Sequence, residues 1–149
     1  MSKRVLAISS GGGHWEQMLR LRPVLEMQDV AFATVSREYQ SQVQGKRFYI
    51  FRDATRWSRF GLIVQAVQIA WILIRERPNI VISTGASSGY FAIRFAKMLR
   101  KRTIWIDSIA NVEKLSMSGE QVGPYADLWL TQWTHLARPQ GPQFMGSVL

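Results

Sequence analysis

The stretch Arg4-Val5-Leu6-Ala7-Ile8-Ser9-Ser10-Gly11-Gly12-Gly13-His14 decides how the rest of the chain is read. A short unbroken apolar run that stops at small residues is a strand buried on both faces, followed by a tight turn. From His14 to about Met27 the pattern turns helical, with Met18, Leu21 and Leu25 on one side and Glu16 and Arg20 elsewhere. Val30 to Val35 is a second buried strand. Strand, glycine turn, helix, strand is how parallel α/β sheets open.

The remaining chain continues that alternation. Phe48-Tyr49-Ile50-Phe51 reads as a third strand, after a polar stretch containing Gly45. Ser58 to Arg75 is the most apolar segment and reads as a helix closed by Pro78. It is shorter than the ~20 apolar residues that span a bilayer and holds Gln65 and Gln68. Two readings stand. It is a crossover helix buried against the sheet, or it also dips into a membrane interface, with Trp57 and Trp71 as anchors and Arg56, Arg59, Arg75 and Arg77 at its flanks. Asn79 to Gly85 is a fourth strand, Gly85 to Gly89 a small-residue turn, and Tyr90 to Leu99 a helix closed by Arg100-Lys101-Arg102. Thr103 to Asp107 and Ala126 to Thr131 are strands five and six, separated by a polar loop from Ser108 to Gly123, and the tail with Pro139, Gly141, Pro142 and Gly146 reads as loop. The expected fold is a Rossmann-like, doubly wound parallel α/β sheet of about six strands, in one domain over residues 1–149.

Composition narrows the chemistry. The 149 residues are 47% hydrophobic and 19% charged, enough for a real core and unlike a disordered chain. With no Cys, disulfides, thiolate nucleophiles and Cys-ligated metals are excluded, and two well-separated His make a zinc site unexpected. Nineteen Lys and Arg against ten Asp and Glu give +9, which favours anionic partners: nucleic acid, lipid head groups or phosphate-bearing substrates. Six Trp tilt the balance toward a membrane surface or lipid-type substrate. Nucleic acid is not expected, because no recognition module is present. Val5 to Ile8, interrupted by Gly11-Gly12-Gly13, is too short for a secretory apolar segment, so a cytoplasmic setting is expected.

In a sheet of this kind ligands bind at the carboxyl ends of the strands. Gly11, Gly12 and Gly13 allow close backbone approach, and the amides of the following helix favour phosphate or another anion; the alternative is a tight turn with no ligand. The turn is not a Walker loop, because no Gly-Lys-Ser/Thr follows, and it lacks the third glycine of a dinucleotide fingerprint. His14, at that junction, is a candidate general base or phosphate donor. Gly85, Ser87 and Ser88 would hold sugar hydroxyls or phosphate, or Ser87 or Ser88 simply caps a helix. Asp107 and Ser108 bring a carboxylate and a hydroxyl to the same edge, and Asp127, Gln132 and Trp133 are read as following the last strand. Asp107 and Asp127 would bind a sugar or pair with Arg. The basic cluster Arg94, Lys97, Arg100, Lys101 and Arg102 is either a solvated helix end or a phosphate or lipid contact.

Taken in order, Ser9 to Met18, Ser83-Thr84-Gly85-Ala86, Trp105 to Gly119, Ala126-Asp127-Leu128 and Thr131-Gln132-Trp133 resemble one family. It is the acceptor-side subunit of two-part glycosyltransferases. Members include the bacterial exopolysaccharide and capsule subunit of the PssD type and the membrane-anchoring subunit of the eukaryotic dolichol-linked N-acetylglucosaminyltransferase. The resemblance implies the N-terminal half of a MurG-like GT-B glycosyltransferase. The acceptor would be a polyprenyl-diphosphate-linked sugar at the cytoplasmic face of the inner membrane, and a separate donor-binding subunit would hold the UDP-sugar. The active site would form where the halves meet, and the reaction would invert the anomeric carbon. The family's Gly-Gly-His turn falls on Gly12, Gly13 and His14, which makes His14 the base or an acceptor-phosphate contact. Asn111, Ser116, Asp127, Gln132 and Trp133 would support the site or the subunit interface. No tightly bound cofactor or metal is implied. Eukaryotic members carry an N-terminal membrane helix, whereas this sequence opens at the first strand, so membrane contact is expected from Phe60 to Ile74, the basic clusters or the partner. Those members also tend to have Glu where this chain has Asp107. The alternative is a non-catalytic membrane scaffold that recruits a complete glycosyltransferase; a small nucleotide- or nucleic-acid-binding Rossmann-like module is the third reading.

Overall fold

In a computed structural model, residues 2–148 are described; Met1 and Leu149, the ends of the expected domain span, lie outside the described residues. Seven strands form one sheet: β1 (Arg4–Ile8), β2 (Asp29–Thr34), β3 (Arg47–Ile50), β4 (Ile80–Ser83), β5 (Arg102–Ile106), β6 (Leu128–Thr131) and β7 (Gln143–Phe144). Their spatial order is β3-β2-β1-β4-β5-β6-β7, and every neighbouring pair is parallel. Every strand therefore ends on the same edge. The helices are α1 (Gly13–Arg20), α2 (Arg22–Leu25), α3 (Arg59–Glu76), α4 (Ala86–Met98) and α5 (Met117–Val122).

The apolar runs predicted to be doubly buried are so. Side chains alternate across a strand, and β1 sends Leu6 and Ile8 to one face and Val5 and Ala7 to the other. The first face packs against Ile69, Ile72 and Leu73 of α3 and Ala92, Ile93 and Ala96 of α4. The second packs against Trp15, Met18 and Leu25 from α1 and α2. Trp15 is the anchor of that layer: fully buried, edge-on to Phe32 at 5.9 Å and stacked on Tyr39 at 5.2 Å. Truncating a side chain of this size to Ala costs about 3–5 kcal/mol.

Several expectations need correction. The sheet has seven strands, not about six, because the tail after Pro142 adds the short β7 beside β6 instead of remaining loop. The first helix ends at Arg20 and a separate turn of helix follows, with Pro23 in its first turn, because proline has no N–H to continue the preceding hydrogen-bond ladder. Helix α4 starts at Ala86, four residues before Tyr90, so most of the small-residue turn is its first turn. Its N-cap is Gly85, and neither Ser87 nor Ser88 caps it. The loop from Ser108 contains α5, which Ser116 caps by accepting from the Gly119 N–H at 2.9 Å.

Helix α3 is a crossover helix packed on the sheet by one face, with its other face open to solvent. Ser58 caps its start by accepting from Gly61, and Arg77 (φ 51) ends it in a left-handed turn before Pro78. One face is buried against the sheet through Ile69, Ile72 and Leu73. The opposite face leaves Phe60, Ile63, Val67, Trp71 and Ile74 exposed, at the three- and four-residue steps of one helical stripe. Among the described residues no helix is long and apolar enough to cross a membrane.

Candidate functional site

Two loops at the carboxyl edge are tied together through His14. Its Nδ1 donates to the Thr84 carbonyl at 3.0 Å, and the Thr84 hydroxyl donates back to the His14 carbonyl at 2.7 Å. A carbonyl can only accept, so Nδ1 carries the hydrogen and Nε2 of the neutral ring is the acceptor nitrogen. Among the described residues Nε2 has no hydrogen-bond partner. The ring has room because residue 85 is glycine: a Cβ there would stand 2.6 Å from His14 Cε1 and Nδ1, and φ is +135°. Ala86 follows with φ 70, an uncommon conformation for a residue with a Cβ.

His14 lines an open cavity of about 390 Å³ together with Ala86, Ser87, Ser108, Asn111 and Ser116, all delivered from loops after β1, β4 and β5. Ala54, Arg56, Ala110, Met117 and Ser118 complete the wall. The wall carries one arginine, one imidazole, four hydroxyls and an amide, and no carboxylate. The lining therefore offers hydrogen-bonding groups and one permanent positive charge. Among the described residues no three His, Asp or Glu side chains gather as a metal cage.

The wall is held from behind by buried polar groups. Ser87 Oγ donates to Gln65 Oε1 at 2.9 Å, and Gln65 Nε2 donates to the Arg52 carbonyl at 3.0 Å. Gln65, the polar break in the apolar segment, thus binds the loop after β3 to the start of α4. Asp107 is buried and saturated: its oxygens accept from Trp105 Nε1, Ser116 Oγ, the Ser116 N–H and Asn111 Nδ2 at 2.6–3.1 Å. It shapes the loop from Ser108 to Ser116 and does not itself line the cavity. Gln17 donates to Ser108 Oγ at 3.1 Å and accepts from the Ile109 N–H and from Gln132 Nε2. Gln132 also donates to the Asp107 carbonyl at 2.9 Å, and Trp133 Nε1 donates to the Ile109 carbonyl at 2.7 Å. Gln132 and Trp133 therefore support this loop from β6.

Other expected residues fall elsewhere. Gly11, Gly12 and Gly13 sit outside the cavity wall, with the Gly12 N–H donated to Tyr39 Oη at 3.1 Å. Ser88 is buried, and its hydroxyl has no partner among the described residues. Asp127 precedes β6 instead of following it, so it lies at the amino edge, opposite the cavity. There it accepts from Lys97 Nζ at 2.6 Å and from the Thr103 N–H at 2.9 Å, a lysine partner where arginine was expected. Burial raises its pKa, but the Lys97 and Thr103 hydrogen bonds and the Lys97 charge together outweigh that and hold it below the ordinary carboxylate value. Of the basic cluster at that end, Lys97 is paired with Asp127 and Arg94 lies over the Tyr125 ring at 4.3 Å. Arg56 is the cavity residue that sequence reasoning took only for a helix flank. Its position after the third strand, at the same edge as the other loops, is the signal that marks it.

Comparisons with known proteins address the family and the fold. The family described as "Oligosaccharide biosynthesis protein Alg14 like" matches residues 50–148. The chain is 24% identical over 162 residues to "UDP-N-acetylglucosamine transferase subunit ALG14" of Yarrowia lipolytica, covering 90% of this chain and 75% of that one. It is 26% identical to the protein of the same name from Eremothecium gossypii, over 91% and 75% of the two. In structure it is similar to MurG of Acinetobacter baumannii, with a TM-score of 0.76 at 13% identity over 97% of this chain. It spans 46% of that chain, less than half its length, as expected for a Rossmann-like fold equivalent to the N-terminal half of a MurG-like GT-B enzyme. The family match takes in the loops after β4, β5 and β6, which build most of the cavity and its supports, and on this evidence the chain belongs to the Alg14-like family of oligosaccharide biosynthesis proteins.

Proposed function

We propose that this chain is the acceptor-binding subunit of a UDP-sugar-dependent, inverting glycosyltransferase of exopolysaccharide or capsule synthesis, completed by a separate donor-binding subunit. The acceptor is a polyprenyl-diphosphate-linked sugar. The observation that carries the reading is the pinned His14 ring, with its Nε2 unpartnered and its flank on a hydroxyl-lined cavity free of carboxylates.

The chemistry follows from that arrangement. His14 Nε2 takes the proton from an acceptor hydroxyl as that oxygen attacks the anomeric carbon of the UDP-sugar. The new C–O bond forms on the face opposite the departing UDP, which leaves with the bonding electrons of the broken glycosyl–phosphate bond. The Thr84 carbonyl stabilises the imidazolium through Nδ1–H. Ser87, Ser108, Asn111 and Ser118 supply hydrogen bonds to the acceptor sugar and phosphates. The UDP-sugar is held mainly by the partner, and no tightly bound cofactor is needed. N-acetylglucosamine is the first donor sugar to test, because the fungal relatives are named for its transfer.

The same reading puts the protein peripherally on the cytoplasmic face of the inner membrane. Supporting it, the exposed stripe of α3 from Phe60 to Ile74 is bounded by Arg56, Arg59, Arg75 and Arg77, the combination that seats a helix at an anionic interface. The scaffold alternative shares this surface and parts from the transferase reading at His14.

Co-purification of the chain with its candidate partner, followed by a sugar-transfer assay on polyprenyl-diphosphate-sugar, tests the proposal. Transfer by the pair and none by either chain alone is expected. Equal activity of this chain alone would refute the two-subunit claim.

A further inference from the structure

We propose that Arg56 grips the diphosphate of the prenyl-linked acceptor, and that the prenyl chain leaves the cavity over Trp57 and Phe60 onto the exposed face of α3. The inference rests on the acceptor reading above and adds a residue and a direction to it.

Arg56 is the one arginine in the cavity wall, which contains no acid to neutralise it. The arginines at positions 4, 22, 47 and 138 each meet a carboxylate within 4 Å, whereas Arg56 has no ion pair and no hydrogen bond among the described residues. Its guanidinium is nevertheless oriented: it lies 4.4 Å from the centroid of the Trp57 ring. Stacking of this kind occupies the face of the guanidinium and leaves its N–H edge for an in-plane, bidentate acceptor, the geometry that phosphate oxygens fit.

Trp57 gives the direction. It is 81% exposed and stands beside a residue of the cavity wall; Phe60, 69% exposed, is the first apolar residue of the α3 stripe, and Arg52 lies over its ring at 5.9 Å. A ligand with phosphates at Arg56 and a hydrocarbon chain therefore meets an aromatic step and then a helical apolar face. A free diphosphate would use only the first half of this surface, and an uncharged prenyl alcohol only the second.

Isothermal titration of the full chain in mild detergent with geranylgeranyl diphosphate, inorganic pyrophosphate and geranylgeraniol tests this. Geranylgeranyl diphosphate is expected to bind at least about tenfold more tightly than either of the others. R56Q is expected to weaken both diphosphates roughly ten- to hundredfold, the loss of charge-assisted hydrogen bonds, with an unchanged melting temperature. The W57S/F60S double variant is expected to bring geranylgeranyl diphosphate down to the pyrophosphate level. Wild-type affinity in R56Q overturns the proposal. So does displacement of geranylgeranyl diphosphate by equimolar short-chain phosphatidylglycerol, which would make Arg56 a general lipid head-group contact. The titration needs no sugar transfer. Arg56-dependent binding by a chain whose complex transfers no sugar would sink the transferase reading alone; transfer with full activity in R56Q would sink this one alone.

Discussion

His14 and Thr84 hold each other twice, imidazole to carbonyl at 3.0 Å and hydroxyl to carbonyl at 2.7 Å, across 70 residues of sequence. The pair joins the loop after β1 to the loop after β4, the central strand of the sheet and the neighbour of β1. A ring fixed through Nδ1 cannot turn Nε2 away, so the imidazole is oriented before any ligand arrives. That is the arrangement a positioned base requires.

Replacing His14 with Ala in the two-subunit complex is expected to lower turnover by about 10²- to 10⁴-fold while the complex still co-purifies. Steady-state transfer assays beside gel filtration check both halves. Unchanged turnover would favour the scaffold.

Gly85→Ala is expected to act through His14. The added Cβ would stand 2.6 Å from the ring, so the imidazole must leave its hydrogen bond to Thr84. Turnover should fall nearly as far as in His14→Ala, and the double variant should be no worse than either single one, because both remove the same function. Additive losses would show that Gly85 acts independently.

The α3 stripe is expected to bind anionic vesicles. Serine at Ile63, Val67 and Ile74 removes exposed apolar surface and no core packing, so flotation with phosphatidylglycerol liposomes should drop at least about tenfold, at roughly 1 kcal/mol or more per residue. The melting temperature should hold. Unaltered flotation in a folded variant would remove α3 from the membrane surface. Trp71 is a poorer probe, because it also meets Tyr49 edge-on at 6.3 Å.

Glu76 and Arg47 should cost unequal amounts. Glu76 is 2% exposed, and its carboxylate accepts from Arg47 Nε at 2.8 Å and Tyr49 Oη at 2.7 Å. Burial, followed by the Glu76 hydrogen bond, raises the Tyr49 phenol above its ordinary value, which keeps it a donor. Arg47→Met leaves a buried carboxylate short of its cation and is expected to cost about 3 kcal/mol; Glu76→Gln leaves Arg47 with Asp29 and solvent and should cost about half that. Urea denaturation of the two variants compares them, and a larger loss in Glu76→Gln would contradict the assignment.

Asp127 should set part of the acid limb of stability. Its folded pKa lies below the ordinary 3.8, so it stabilises the fold above that value and the contribution disappears as pH falls through the folded pKa. With the side chain 31% exposed, the Lys97 pair is worth only about 1 kcal/mol. Asp127→Asn is therefore expected to lose roughly that much near pH 7 and nothing once pH is well below 3.8. An equal loss at both pH values would locate its role in hydrogen bonding alone.

The alternating strands and helices, the doubly buried apolar runs and the carboxyl-edge position of His14, Ser87, Ser108 and Asn111 were all legible in one dimension. Apolar runs and glycine turns report local burial and local backbone freedom, and parallel connectivity then fixes which loops share an edge. The misreadings have equally local causes. Small residues after the fourth strand look like turn but form the first turn of α4. Asp127 stands at the start of the segment read as the sixth strand, so it belongs to the amino edge and not with Gln132 and Trp133, which follow the strand. The short β7 has too few residues to show a period.

What no pattern could report is which groups meet across the fold. Gly85 is indispensable only because a ring from another loop fills the place of its side chain, and Asp107 is withdrawn from the cavity only because Trp105, Asn111 and Ser116 converge on it. Arg56 becomes a cavity residue only once α3 is docked. Propensity and periodicity follow from each residue's near neighbours along the chain, whereas hydrogen bonds and packing are short-range in space and indifferent to separation in sequence. They come into being only when the sheet has formed.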